Sequence, residues 1–128
     1  MKKWYLVQTQ PSNEASAAFN LVRQGYQIYL PQYVRARRHA RRLDKVKRPL
    51  FPSYMFVKID VMLQPWRRIN STIGVSRLVC FGEKPIAVPL EIIDAIKTRE
   101  DHRGLVSLGH LIKYKTGDSV RVIEGALS

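Results

Sequence analysis

The alternation of apolar and polar positions along the chain predicts four strands. The segment WYLVQT at 4–9 has the composition of a buried strand, and YQIYLPQYV at 26–34 is rich in β-branched and aromatic residues. Pro31 within the second segment indicates a sheet edge or a bulge. The segments SYMFVKI at 53–59 and VSRLVCF at 75–81 have the same character and predict the third and fourth strands.

The third predicted strand is apolar on both faces. Side chains alternate along a strand, so Tyr54 and Phe56 share one face, whereas Met55, Val57 and Ile59 share the other. An antiparallel sheet with one solvated face normally alternates apolar with polar residues. Either this strand is covered on both sides, or one face binds a partner.

Three helices are predicted between the strands. The first, over 14–24, starts after capping residues at 12–13 and ends at Gly25. Its packing face is predicted from helical spacing to comprise Ala15, Ala18, Phe19 and Val22. A short helix is expected over 65–70. A third helix follows Pro89, with an apolar side that comprises Leu90, Ile92, Ile93 and Ile96.

This order of elements predicts an α+β fold. We expect an α/β sandwich with a four-stranded, mainly antiparallel sheet flanked by helices, plus a long basic β-hairpin between two adjacent strands. The predicted domain covers 1–104 and a linker covers 105–116. The segment GDSVRVIEG at 117–125 is typical of the first strand of a small barrel, but too little chain follows in this sequence to close one.

The charge of the chain is concentrated in one segment. There are 22 Lys and Arg residues against 10 Asp and Glu residues, a formal net charge of +12. Residues 35–48 contain eight of the basic residues and one acidic residue. A concentrated basic segment points to nucleic acid, a nucleoprotein assembly or an anionic membrane surface.

Other compositional signals narrow the class of protein. Cys80 is the only cysteine, so the chain cannot form an internal disulfide, and a reducing compartment is expected. Neither a signal peptide nor an apolar run long enough to span a membrane is found, which predicts a cytoplasmic protein without a membrane partner.

The sequence contains no recognisable catalytic motif. His39, His102 and His110 lie far apart, with no acid or cysteine at metal-ligand spacing. The segment GEKP at 82–85 lacks the spacing of a phosphate-binding glycine loop. We therefore expect no enzymatic activity, no metal and no cofactor.

Four segments together resemble the NusG and RfaH family of transcription elongation factors. They are WYLVQTQ, LFPSYMFV, INSTIGVSRLVCFG and VRVIEG, in that order and with the spacing of the family. The resemblance covers the family's amino-terminal domain, and 117–128 resembles the start of its carboxy-terminal KOW barrel. The sequence does not decide between the two branches of the family. The segments at 51–57 and 74–76 are closer to RfaH, whereas Trp66 is closer to general NusG.

The resemblance implies a monomeric antitermination factor that suppresses pausing. In this family a hydrophobic depression binds the clamp helices of RNA polymerase. The residues implied to bind polymerase here are Tyr5, Phe51, Pro52, Tyr54, Phe56, Ile93 and Ile96. Before the resemblance is considered, packing within the same domain is the simpler explanation for aromatic residues on such a strand.

Two groups of residues are candidates for nucleic-acid binding. The first group is the basic segment, which lacks interspersed acids, so phosphate groups are its natural binding partners. Basic segments of this kind are, however, often simply exposed to solvent. A polar stripe on the first helix matches positions that read the non-template DNA strand in the RfaH branch, but Ile73 departs from that pattern. The candidates are Asn20, Arg23, Gln24, Arg35, Arg37, Arg38, Arg41, Arg42, Lys45 and Lys47. A ribosome- or RNA-binding protein that uses the basic segment and the aromatic residues directly is the alternative function.

Overall fold

The central sheet has five strands, and all their pairings are antiparallel. A computed structural model describes residues 1–39 and 41–107, except for the side chains of Arg37 and His39. The strands are β1 Lys3–Thr9, β2 Gln27–Tyr29, β3 Gln32–His39, β4 Arg42–Pro49, β5 Tyr54–Ile59, β6 Val75–Leu78, β7 Cys80–Phe81, β8 Lys84–Pro85 and β9 Ala87–Val88. The central sheet has the order β2-β5-β1-β6, with β9 also paired to β1. Strands β3 and β4 form one separate hairpin, and β7 and β8 form another.

Helices cover both faces of this sheet. They are α1 Glu14–Arg23, α2 Arg67–Asn70 and α3 Leu90–Lys97. On one side, which we call the helical face, α1 packs on the side chains of Tyr5, Val7, Met55, Val57 and Ile59. On the other side, which we call the aromatic face, α3 packs against Trp4, Leu6 and Phe56. This arrangement confirms the predicted α+β sandwich and the division of β5 into two apolar faces.

The buried side of α1 differs from the prediction. Ala17 and Leu21 are fully buried, whereas Phe19 is 66% exposed and Val22 is 56% exposed. The prediction counted apolar residues at helical spacing without knowing where the sheet lies. Ala17 lies in the core, and the loop that contains Gly74, at φ +90°, closely approaches the helix at this position.

Two other predictions about strands need correction. VSRLVCF does not form one strand: β6 ends at Leu78, and the next amide, of Val79, donates to the carbonyl of Leu6. Strand β9 was missed because it is only two residues long and adjoins Pro89. Such a short strand leaves no periodic signal in the sequence.

The chain after α3 folds back over the aromatic face. Leu105 and Val106 are buried, and the Val106 amide donates to the carbonyl of Gln32. We call residues 99–107 the strap. The predicted boundary between the domain and the linker, after residue 104, stays a prediction. The chain is packed against the domain as far as Val106. The predicted barrel segment 117–128 lies outside the described residues.

Candidate functional site: the aromatic face and the basic hairpin

The aromatic face contains a row of four rings. The rings of Tyr29 and Phe56 stack with centroids 6.1 Å apart, and Phe51 meets Phe56 edge-on at the same centroid distance. Trp4 approaches Tyr29 edge-on at 6.3 Å. These offset and edge-on contacts are the favourable geometries for aromatic pairs. The row forms a rigid base beneath α3 and the strap.

Most of the predicted polymerase-binding side chains are buried in this structure. Phe51, Phe56, Ile93 and Ile96 lie in the core between the sheet, α3 and the strap. Phe56 has no exposed surface. For Phe51 and Phe56 the structure thus has packing within the domain, because a helix and a loop of the same domain cover them; their binding to polymerase stays a prediction.

Tyr5 cannot join the aromatic face. It is adjacent to Trp4 in β1 and so points to the helical face, where it packs with the core beneath α1. Burial raises the pKa of its phenol, and the nearby Asp60 carboxylate raises it further.

Two of the predicted polymerase-binding residues remain accessible. Pro52 is exposed and Tyr54 is half-buried, with its ring packed at the edge of the aromatic core. The turn before Tyr54 is held in place by Ser53, whose amide donates to the Glu14 carboxylate and whose carbonyl accepts from the Thr9 amide. A tyrosine on such a fixed turn can bury its ring against a partner with little loss of conformational entropy.

The rim of the aromatic face is charged, which the sequence analysis missed. The Lys97 ammonium lies 5.1 Å from the ring centroids of both Trp4 and Tyr29. Burial raises the pKa of Tyr29, and the neighbouring Glu100 carboxylate adds to this effect. Trp4 and Tyr29 lie far from Lys97 in the sequence, so no local pattern predicts this contact.

The basic hairpin, defined as β3 and β4, forms a sheet separate from the central five-stranded sheet. Its base is fixed where Leu50 donates its amide to the Pro31 carbonyl. Eight residue pairs follow, from Gln32 with Pro49 to His39 with Arg42. Arg41, which precedes β4, has φ +66°, a left-handed conformation common in tight hairpin turns. The predicted long basic β-hairpin is confirmed.

The cations of the basic hairpin face solvent. Among the described side chains from 35 to 47, only Val46 is partly covered, and neither ion pair found among the described residues involves the hairpin. A cleft of about 360 Å³ lies beside it. The residues that line this cleft are Arg35, Ala36, Arg38, Val46 and Arg48. Exposed guanidinium groups without ion-pair partners among the described residues could bind phosphate oxygens.

The polar stripe of α1 is partly used within the protein. Asn20 donates to the Ser16 carbonyl at 2.9 Å and to the Ile73 carbonyl at 3.4 Å, and Gln24 donates to the Thr72 hydroxyl at 2.8 Å. Both amides therefore hold the loop at 72–73 against the helix. Arg23 is exposed. Of the three predicted base-reading residues, only Arg23 presents an uncommitted head group among the contacts described.

The fold and these surfaces define an α+β domain with a partly exposed aromatic edge and a separate, strongly basic hairpin. Residues 2–97 match the family model described as "Transcription termination factor nusG". The chain belongs to the NusG family of transcription termination and antitermination factors.

Three individual proteins to which the chain is similar are the following. The transcription termination/antitermination protein NusG of Helicobacter pylori is 31% identical over 135 residues, which cover 98% of this chain and 76% of the relative. Its counterpart from Thermus thermophilus is 25% identical over 145 residues, which cover 96% of this chain and 76% of the relative. A structure of Thermotoga maritima NusG is 23% identical, with a TM-score of 0.48; the match covers 73% of this chain and 54% of that one. No helix of the described residues is long and apolar enough to cross a membrane.

Proposed function

We propose that this protein is a transcription elongation and antitermination factor that binds the clamp helices of RNA polymerase through the edge of its aromatic face. The observation that carries the proposal is Tyr54, a half-buried ring on a fixed turn next to exposed Pro52. The buried aromatic row would set the position of this edge without contacting polymerase. Phe51, Phe56, Ile93 and Ile96 then act as its support.

The basic hairpin would contact nucleic acid in the same complex. Its unpaired cations favour phosphate groups, which supply affinity without sequence readout. Binding of this kind would hold the factor on the transcribing complex, where it would suppress pausing and termination as a bound protein without catalytic chemistry.

A specialised, RfaH-like role would further require recognition of the non-template strand. On this chain such recognition would fall to Arg23, because Asn20 and Gln24 already donate to the loop at 72–73. One bidentate arginine contact to guanine contributes about 1–3 kcal/mol of discrimination. Selection of stalled complexes from a pool of randomised non-template strands should give an enriched motif that Arg23→Ala abolishes. If the wild type enriches no motif, the protein acts as a general factor without sequence-specific recruitment.

The test of the main proposal is transcription in vitro by purified polymerase on a template with a pause site and a terminator. The wild type should shorten the pause and increase readthrough, and Tyr54→Ala should lose most of both effects. Phe19→Ala is a matched control, because Phe19 is an exposed aromatic residue on the helix that covers the helical face. Equal activity of the wild type and Tyr54→Ala would reject the proposed docking edge.

Binding to RNA without polymerase is the rival function. It would place the basic hairpin and the aromatic edge directly on RNA. Retention of the protein on RNA, with no capture of polymerase free of nucleic acid, would favour this rival.

A further inference from the structure

The pairing register places the cations of the basic hairpin on two opposite faces. Successive strand residues alternate in direction, and residues paired across the ladder share a face. In β4, Lys45 and Lys47 therefore lie on one face and Arg48 lies on the other. Arg35 is paired with Val46 and shares the face of Arg48. We call these the lysine face and the arginine face.

Neither face is neutralised by its own strands. Asp44 is the only acidic residue between 32 and 49, and it lies on the arginine face by its position in β4. Lys45, Lys47, Arg35 and Arg48 are all exposed. A hairpin that binds one anionic surface needs cations on one side only. Cations on both sides would let the hairpin contact an anionic surface on each face.

The composition of the hairpin argues against a single strand as its ligand. Proteins that bind single strands without sequence preference stack bases on aromatic side chains. Tyr33 is the only Phe, Tyr or Trp residue between 32 and 49, and it lies at the base of the hairpin, packed against the aromatic core. The projecting part of the hairpin offers charge without a stacking surface.

The dimensions fit a groove of duplex DNA. Two sheets packed face to face lie about 10 Å apart, which approximates the thickness of one sheet layer apart from extended charged side chains. The major groove of B-form DNA is about 12 Å wide and admits a two-stranded ribbon. We propose that the basic hairpin lies in the major groove of duplex DNA, with one phosphate backbone along the lysine face and the other along the arginine face. This inference rests on the nucleic-acid role proposed above and adds the form of the ligand.

The test uses the purified protein and a fluorescent 20-base-pair duplex, without polymerase, and measures anisotropy over a range of salt concentrations. Two matched variants each remove two charges: Lys45→Gln with Lys47→Gln, and Arg35→Gln with Arg48→Gln. Each should make the slope of log K against log salt shallower by about 1.8, the value for two lost phosphate contacts. Lys2→Gln with Lys84→Gln, at exposed lysines outside the hairpin, should leave the slope unchanged.

Further measurements distinguish binding in the major groove from other modes of DNA binding. The wild type should bind the duplex more tightly than either of its single strands. A duplex whose cytosines carry glucosylated hydroxymethyl groups, which fill the major groove, should bind at least tenfold more weakly. The inference is overturned if only one of the two variant pairs changes the slope, if the glucosylated duplex binds as well as the plain one, or if the single strand binds as well as the duplex. No polymerase takes part, so failure of the transcription assay would leave these results intact.

Discussion

At the scale of single residues, Phe56 and Tyr54 lie on the same face of β5 but differ in what their rings contact. Phe56 is fully buried between Tyr29, Phe51 and the third helix, whereas Tyr54 is half-buried at the edge of that core. The alternation of the strand predicted which face each ring shares. It could not predict that a helix and the strap cover only one of the two rings.

Truncation of these two rings should therefore have different consequences. Phe56→Ala should lower the free energy of unfolding by about 3–5 kcal/mol, because it leaves a cavity in a packed core. Tyr54→Ala should lower it by less than about 2 kcal/mol, because part of its ring already faces solvent. Urea denaturation of both variants measures the difference. Equal losses would mean that Tyr54 belongs to the core and is not a docking residue.

The pKa of Asp101 gives the strap a dependence on pH. The Arg103 guanidinium hydrogen-bonds to Asp101 and lowers the carboxyl pKa to about 2, and the backbone amides of Leu105 and Arg103 add to this effect. A lowered pKa stabilises the fold above the ordinary carboxyl pKa, and this contribution is lost as pH falls through about 2.

Asp101→Asn keeps the shape of the side chain and removes its charge. The variant should be less stable than the wild type near neutral pH, and the gap should narrow as pH falls below about 4. Denaturation midpoints at several pH values measure this, with Asp94→Asn, at an exposed helical position, as the control. If the stability difference between the two proteins does not change with pH, the charge of Asp101 does not stabilise the strap.

At the scale of elements, the contact between α1 and the loop at 71–74 depends on glycine. A Cβ added to Gly74 would lie 2.8 Å from the Ala17 amide nitrogen, whereas one added to Gly25 would meet nothing within 4 Å. Both glycines have φ near +90°. The sequence suggested Gly25 as a helix end but gave no sign of this close approach.

Two alanine variants separate the effect of this close approach from the effect of the positive φ. Gly25→Ala should lower stability by about 1 kcal/mol, the cost of a positive φ for alanine. Gly74→Ala has the same cost and a clash with the helix backbone, so its loss should exceed that of Gly25→Ala by about 1 kcal/mol or more. Thermal unfolding of the two variants decides this, and equal losses would show that the helix can shift without cost.

The basic hairpin is a separate element that can be shortened without changing its pairing pattern. Replacing residues 36–45 with Asn-Gly removes four residue pairs and closes the ladder at Arg35 and Val46. The number removed is even, so the closing pair keeps the hydrogen-bonding type of the native one. Stability should change by less than about 1 kcal/mol, since the removed residues do not contribute to the core. A loss of several kcal/mol would show that the hairpin stabilises the domain.

At the scale of the whole molecule, the α+β class and the presence of a basic hairpin could be predicted from strand and helix patterns and from one run of charge. The exposed edge of the aromatic face could not, because it depends on how far the strap and α3 extend over β5. The helix stripe could not be interpreted either. Its amides are equally suited to bases and to the loop at 72–73, and only the geometry shows that they already donate to that loop.

The central claim is that Tyr54 marks a surface that binds RNA polymerase directly. The measurement that tests it is the affinity of core polymerase, free of DNA and RNA, for wild-type protein, Tyr54→Ala and Phe19→Ala. Wild type and Phe19→Ala should bind equally, and Tyr54→Ala should lose about 2 kcal/mol of binding free energy, the value typical of a central aromatic contact. Equal binding by all three proteins, or binding only when nucleic acid is present, would contradict this account.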